Sequence, residues 1–317
     1  MGISGPALTA QLQVMPRSDE NKPSMSYRGG NNPNISFPPL PQTVAEVSAL
    51  LAETEAEPDT LKLAEIVDSD PVVAAAVLRR INSAYYGMRR RIGNVRKAVM
   101  LLGFLEVANI VLTAGMIKLE EVFNESGHTE LFEKIMEMSV GVGQCARETA
   151  DFINLPVQGR IYTAGLLHAV GRLVFLYNHP DQYHSLWIRD GALRSPSREA
   201  EVEMFGVDHT EIGAQAADNW KLPHFIVEAI QHYPSPDAID DAEHRQLAQI
   251  LAVAVSVVDQ YGCESDRIDV AEVEFEAPPQ LAALAESVEG VDTEELVDYL
   301  VEKQEQIRGY VDTMTHH

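Results

Sequence analysis

Asp70-Pro71-Val72-Val73-Ala74-Ala75-Ala76-Val77-Leu78-Arg79-Arg80-Ile81-Asn82-Ser83-Ala84-Tyr85-Tyr86-Gly87 reads as one capped, apolar helix running into a polar, aromatic turn. Asp70 can accept from the unpaired amides of a helix start, and Pro71 suits the first helical position, where its missing N–H is not needed. From Val72 the stretch is apolar up to Arg79-Arg80, so this helix needs other helices to cover it. Upstream, Thr43 with Glu46 three residues on predicts a capping box, and Val44, Val47 and Leu51 share one face. Pro58-Asp59 breaks the chain before a second helix carrying Leu61, Ile66 and Val67. Downstream, Asn94 is expected to cap a helix bearing Val95, Val99 and Leu102, and Gly103 separates it from Phe104 to Leu119.

A loop at Asn124–Gly127 introduces a second array, with long segments near 129–153 and 159–177 and shorter ones near 208–220, 223–233 and 244–261. Asp208 with Glu211 marks another helix start, and Pro223 opens the next helix. Period-two runs of β-branched residues are missing throughout. The prediction is an all-α fold.

The chain has 317 residues, 45% of them hydrophobic, and a formal net charge of −24. Such a field repels phosphate backbones and anionic lipid, so neither general nucleic-acid binding nor membrane binding is expected. Ala98–Ile117 is apolar enough to resemble a membrane span, yet Glu106 and Asn109 fall in its middle. A central carboxylate costs about 2.5–3.5 kcal/mol on insertion scales, which favours buried helices of a soluble protein. No signal peptide is legible, and Cys145 and Cys263 lack any ligand spacing, consistent with a reducing cytoplasm. Residues 1–36 read as a flexible leader. Residues 263–317 read as an acidic linker followed by a C-terminal helix with Leu296, Leu300, Ile307 and Val311 aligned, which packs back on the domain or offers a face to a partner.

Four blocks carry a family resemblance. Leu78–Gly87 after its Asp-Pro start, Ala98–Gly103, Gly165-Leu166-Leu167-His168-Ala169-Val170-Gly171-Arg172-Leu173, and Phe205–Gly213 with Trp220-Lys221-Leu222-Pro223 resemble, in order and spacing, the HDOD family. This resemblance spans about residues 37–262 and implies a two-lobed helical domain, with a front lobe near 37–123 and an HD-like lobe near 127–262. It also implies a role in bacterial signalling, in settings such as cyclic di-GMP, chemotaxis, motility or stress pathways. The family is a divergent branch of the HD superfamily, whose active members hydrolyse phosphate esters at a metal centre.

Neutral imidazoles and carboxylates hold the divalent ions such enzymes need. By resemblance, the first ligand position falls on or near Met138, and the paired His-Asp becomes His168-Ala169. His209, His232 and Asp259 match later ligand positions, with Gln231 where many active relatives carry a second His. His168, His209, His232 and Asp259 therefore remain as vestigial candidates. They suit no bound metal, or at most a single divalent ion, and no cofactor is expected. Separately, His224, Glu228 and His232 share one helix face, either a second metal seed or a solvated polar surface.

Arg79, Arg80, Arg89, Arg90, Arg91, Arg96 and Lys97 place seven of the 24 basic residues within 19 positions. Three readings stay open: pairing with acidic side chains in the same protein, an acidic partner, or a nucleotide held by the arginines with Asn82, Tyr85 and Tyr86 beside them. No P-loop, GxSxG or HExxH motif occurs. The expectation is a non-catalytic signal-transduction module that binds protein partners. A residual metal-dependent phosphohydrolase and a nucleotide sensor are the alternatives. Neither partner identity nor oligomeric state is legible.

Overall fold

The computed structural model describes residues 35–39, 42–53, 59–124, 127–155, 157–189, 191–261, 277–288 and 290–315. Most of the proposed leader (residues 1–34), Cys263 and the acidic run 264–276 lie outside the described residues.

The fold is all-α. A front group comprises α1 (Gln42–Glu53), α2 (Thr60–Ser69), α3 (Pro71–Ile81), α4 (Val95–Leu102), α5 (Phe104–Lys118) and α6 (Glu120–Asn124). A second group follows with α7 (Thr129–Phe152), α8 (Gln158–Leu167), α9 (Val170–Asn178), α10 (Pro180–Trp187), α11 (Arg198–Phe205), α12 (His209–Asn219), α13 (His224–His232) and α14 (Ala242–Tyr261). The chain closes with α15 (Pro279–Ser287), α16 (Thr293–Glu302) and α17 (Gln304–Thr315). One short antiparallel hairpin, pairing Ile188 with Leu193 and Arg189 with Ala192, follows α10.

Local chemistry explains the boundaries. The Asp70 carboxylate accepts from the amides of Val72 and Val73, the Asn94 side chain from Lys97, and Asp208 from Thr210 and Glu211. Thr43 departs from the expected capping box: its hydroxyl donates to Asp70 Oδ2 at 3.0 Å, tying α1 to the start of α3. Leu61 also departs, being 60% exposed, because α2 buries Leu63, Ala64 and Val67 instead. The long segment expected near 159–177 breaks at His168-Ala169 into α8 and α9. Ser36 exchanges two hydrogen bonds with the Asn178 side chain at 3.0 and 2.8 Å, so the last two residues assigned to the leader are anchored.

The stretch Ala98–Ile117 bends at Gly103, whose φ of +80° is comfortable only for glycine. The helices on either side of Gly103 meet at 118°, and no single helix among the described residues is long and apolar enough to cross a membrane.

Two apolar clusters result. One joins α1 to α5 around Val47, Leu63, Val77 and Val107; the larger joins α7 to α14 and takes in Leu112 and Met116 of α5. The C-terminal segment packs back onto the domain: Leu296, Leu300, Ile307, Tyr310 and Val311 are buried, on two helices divided at Lys303 rather than one.

Glycine sets the closest helix crossings. A Cβ on Gly171 of α9 would lie 2.0 Å from the His209 carbonyl and 2.8 Å from the Gly213 amide of α12. A Cβ on Gly165 of α8 would lie 2.5 Å from the Gly143 Cα of α7. Backbone obstacles cannot swing aside, so Gly171→Ala should cost about 1–3 kcal/mol or more in urea unfolding. The exposed Gly93→Ala, with open space around its Cα, should cost far less; equal losses would contradict this packing account.

Candidate functional site

The α8–α9 break brings His168 and Ala169 into the interior, and the glycine-mediated α9–α12 crossing brings His209 beside them. The Glu201 carboxylate on α11 accepts hydrogen bonds from His209 Nδ1 at 2.6 Å, from the His209 amide at 2.8 Å and from the Tyr183 hydroxyl at 2.8 Å. A carboxylate only accepts, so the proton of this contact sits on Nδ1. On the other side, His209 Nε2 lies 2.7 Å from the Tyr233 hydroxyl, within hydrogen-bond distance. Burial pushes the Tyr233 phenol above its ordinary range, so it remains a proton-bearing donor. Both nitrogens of His209 are engaged.

Burial alone would raise the Glu201 carboxyl, but the charge and hydrogen bonds of His209, with the charge of Arg172, outweigh it and lower the pKa. His168 is 1% exposed and donates from Nδ1 to the Gly165 carbonyl at 2.7 Å. Burial lowers its pKa to about 3, with smaller contributions from His209 and Arg172. Its ring meets Tyr233 edge-on at 5.9 Å.

Arg172 of α9 is the buried cation of this centre. Burial disfavours its charge, yet Tyr183, Glu201 and Tyr233 more than restore it, so the guanidinium stays protonated. One nitrogen donates to the Ser195 hydroxyl, and the guanidinium carbon lies 5.3 Å from the Trp187 ring. Ser195 Oγ in turn lies 4.0 Å from the Met138 sulfur.

The sequence-predicted candidates divide accordingly. His168, His209 and the neighbourhood of Met138 and Ala169 do converge. His232 does not join them: its ring is half-buried outside the network, and Tyr233, the next residue, enters the site. Asp259 lines a shallow cleft with Tyr233 and Arg198 and lies near enough to interact with Arg172 and His209, with burial raising its carboxyl pKa. Glu201, Arg172, Tyr183 and Ser195 were not singled out from sequence, although Arg172 lies within the quoted Gly165–Leu173 block.

These donors do not fit the metal that the HD superfamily implies. His209 is engaged at both ring nitrogens, Ala169 has no lone pair, and a thioether is a poor partner for hard cations. Among the described residues, no three His, Cys, Asp or Glu side chains converge on one point. The second metal candidate dissolves as well. Glu228 accepts from His244 Nδ1 of α14 at 2.6 Å and approaches His224 at 3.5 Å, clipping α13 to α14 without His232.

The basic cluster is split by burial. Arg80 is 3% exposed and stands among three tyrosine rings, with centroids at 3.9 Å (Tyr310), 4.7 Å (Tyr85) and 5.3 Å (Tyr86). Tyr86 donates to Glu106, which also accepts from Arg147 at 2.8 Å. Tyr85 and Tyr86 thus help to bind the two helical groups and α17 together. Asn82 staples the following loop, donating to the Leu78 and Ile92 carbonyls and accepting from the Ile92 amide at 2.7 Å. Arg79, Arg89, Arg90, Arg91, Arg96 and Lys97 are exposed, and their side chains have no ion pair among the described residues. The reading in which they pair within the chain finds no partner for these six among the described residues.

An all-helical domain whose centre is built on His168-Ala169 and close-packed glycines agrees with the resemblance carried by the four sequence blocks. The HDOD domain model matches residues 37–236, and the chain belongs to the HDOD family. Similar solved structures include an HDOD domain protein of unknown function from Geobacter sulfurreducens, with TM-score 0.68, 22% identity, and 88% of this chain and 93% of that one covered. A candidate signal transduction protein from Marinobacter aquaeolei VT8 has TM-score 0.64 and 24% identity over 88% of this chain and 60% of its own. A candidate phosphohydrolase from Shewanella amazonensis SB2B has TM-score 0.61 and 23% identity, covering 88% and 95%. An uncharacterized protein of Treponema pallidum (strain Nichols) is 23% identical over 227 residues, 69% of this chain; the match spans 41% of that relative's length.

The depressed His168 pKa sets a pH dependence. Between about pH 6.5 and pH 3 the unfolded ring binds a proton that the folded ring refuses. Stability therefore falls as pH drops through this window, by up to about 1.4 kcal/mol per unit. In urea titrations from pH 7 to pH 4, His168→Gln should lose less stability than the wild type. Parallel curves would contradict the assignment.

Proposed function

We propose that this chain is a non-catalytic regulatory module of a signalling pathway that acts by binding a protein partner. The observation carrying this reading is the relay Glu201–His209–Tyr233 with Arg172 beside it. A protein cation and a phenol take up the His209 and Glu201 groups that a hydrolytic metal would require. The names borne by similar proteins include both a signal transduction protein and a phosphohydrolase, so family alone does not choose between them.

A surface suited to a partner supports the same reading. On and around α4, Met100 is 79% exposed and Leu101 is 50% exposed, with Met88 and Leu105 also open. Exposed Arg89, Arg90, Arg96 and Lys97, without an ion pair among the described residues, lie close by in sequence on α4 and the loop before it. An exposed apolar group flanked by exposed cations, in a chain of net charge −24, suits an acidic protein surface.

Two measurements test the proposal. With bis(p-nitrophenyl) phosphate and added manganese or iron(II), hydrolysis should stay at background; turnover abolished by His209→Ala would overturn the non-catalytic reading. A photo-crosslinker at Met100 should trap a discrete adduct in the native cell that one at Asp181, also exposed, does not. Identical adduct patterns at the two positions would count against the α4 face.

A further inference from the structure

We propose that the groove beside α3 is a binding site for a small phosphate-bearing ligand, seated on Arg80 and Ser83 beneath the end of α17. The groove measures about 1370 Å³ and runs between α3 with its following loop and the wall formed by α5 and α6. Both Arg80 and Ser83 line it, and both are left incomplete by the protein. Among the described residues, none of the three Arg80 guanidinium nitrogens has an acceptor in good hydrogen-bond geometry, Tyr86 giving only a weak polar contact, and the buried Ser83 hydroxyl has no partner. Glu106, which could have neutralised Arg80, is committed to Tyr86 and Arg147. Three tyrosine rings offset part of the cost of burying this cation, and the Tyr86 hydroxyl is shared with Glu106, so most of its N–H capacity is left for a ligand.

The surroundings specify the missing group. Arg79 and Arg91, exposed and without an ion pair among the described residues, line the same groove, so three guanidinium groups and a hydroxyl border one space. Guanidinium forks match phosphate oxygens in geometry and charge. The walls contributed by Ala76, Ile110, Ala114 and Ile117 are apolar and suit the organic body of a phosphomonoester. Glu120 and Glu121 on α6 also border the groove and repel an anion there, which places the phosphate on the α3 side.

The C-terminal helix is coupled to this site. Its Tyr310 ring covers the Arg80 guanidinium, and Thr313 and Met314 line the groove. A phosphate on Arg80 competes with the Tyr310 ring for the guanidinium and lies beside Thr313 and Met314, so occupancy loosens the end of α17.

The test uses the full chain in calorimetry with inorganic phosphate, AMP and GMP, against adenosine and guanosine as phosphate-free controls. The phosphate-bearing probes should bind and the nucleosides should not. Equal affinity for phosphate and the monoesters would assign the site to free phosphate; tighter monoesters would assign it to an organic phosphate. Arg79→Glu with Arg91→Glu, both on the exposed rim, should weaken binding about tenfold or more with an unchanged melting temperature. Ser83→Ala should weaken it less. Hydrogen exchange of residues 307–315 should accelerate on binding. No heat from any phosphate probe at millimolar concentration, or affinity indifferent to the rim substitutions, would overturn the site; unaltered exchange in 307–315 on binding would overturn its coupling to α17. Either result leaves the partner-binding proposal standing, because that proposal rests on the filled centre and the α4 face.

Discussion

The His209 imidazole is gripped from both sides, by the Glu201 carboxylate at 2.6 Å and the Tyr233 hydroxyl at 2.7 Å. Both contacts are buried, where a hydrogen bond is strengthened and an unmade one is costly. That grip joins α11, α12 and α13, and through Tyr183 it also reaches α10. Arg172 can remain charged in the interior only because Glu201 and the neighbouring phenols surround it. A centre of this kind is a structural keystone, with the His209, Glu201, Tyr183 and Tyr233 side chains bonded to one another.

The keystone depends on distances that glycine permits. Gly171 and Gly213 let α9 and α12 touch backbone to backbone, which brings His209 up to His168. Gly143 and Gly165 do the same for α7 and α8. In the front group, Gly103 turns α4 away from α5 and leaves the α4 face uncovered. The glycines of the family blocks thus place helices, and the helices place the imidazoles.

Much of this was legible in the sequence. Asp70-Pro71, Asn94 and Asp208 marked helix starts because capping is local chemistry. His168 and His209 were recognisable from block spacing, and their convergence followed. Other features depended on tertiary context. His232 and Tyr233 are adjacent, and only the rotation of α13 decides which one faces His209. Arg80 reads as the solvated end of an apolar helix, and its burial depends on Tyr310, 230 positions away. Leu61 looked like core by composition, but the face of α2 that packs is set by α1 and α4. Thr43 was spent on Asp70 rather than on its own helix. Glu201 gave no signal at all, because a lone carboxylate in an acidic chain looks like surface.

The functional account divides along the same line. The second helical group holds a buried polar centre, and the front group holds the open features: exposed arginines, exposed methionines and an incompletely satisfied cation. The protonation of His209 tests the central claim most directly. In ¹⁵N-detected spectra of the imidazole rings, the account predicts Nδ1–H on His209, a hydrogen-bonded Nε2, and no change in the His168 and His209 signals on adding zinc. Saturable, stoichiometric shifts of both rings with zinc, together with loss of the Tyr233 contact, would contradict it.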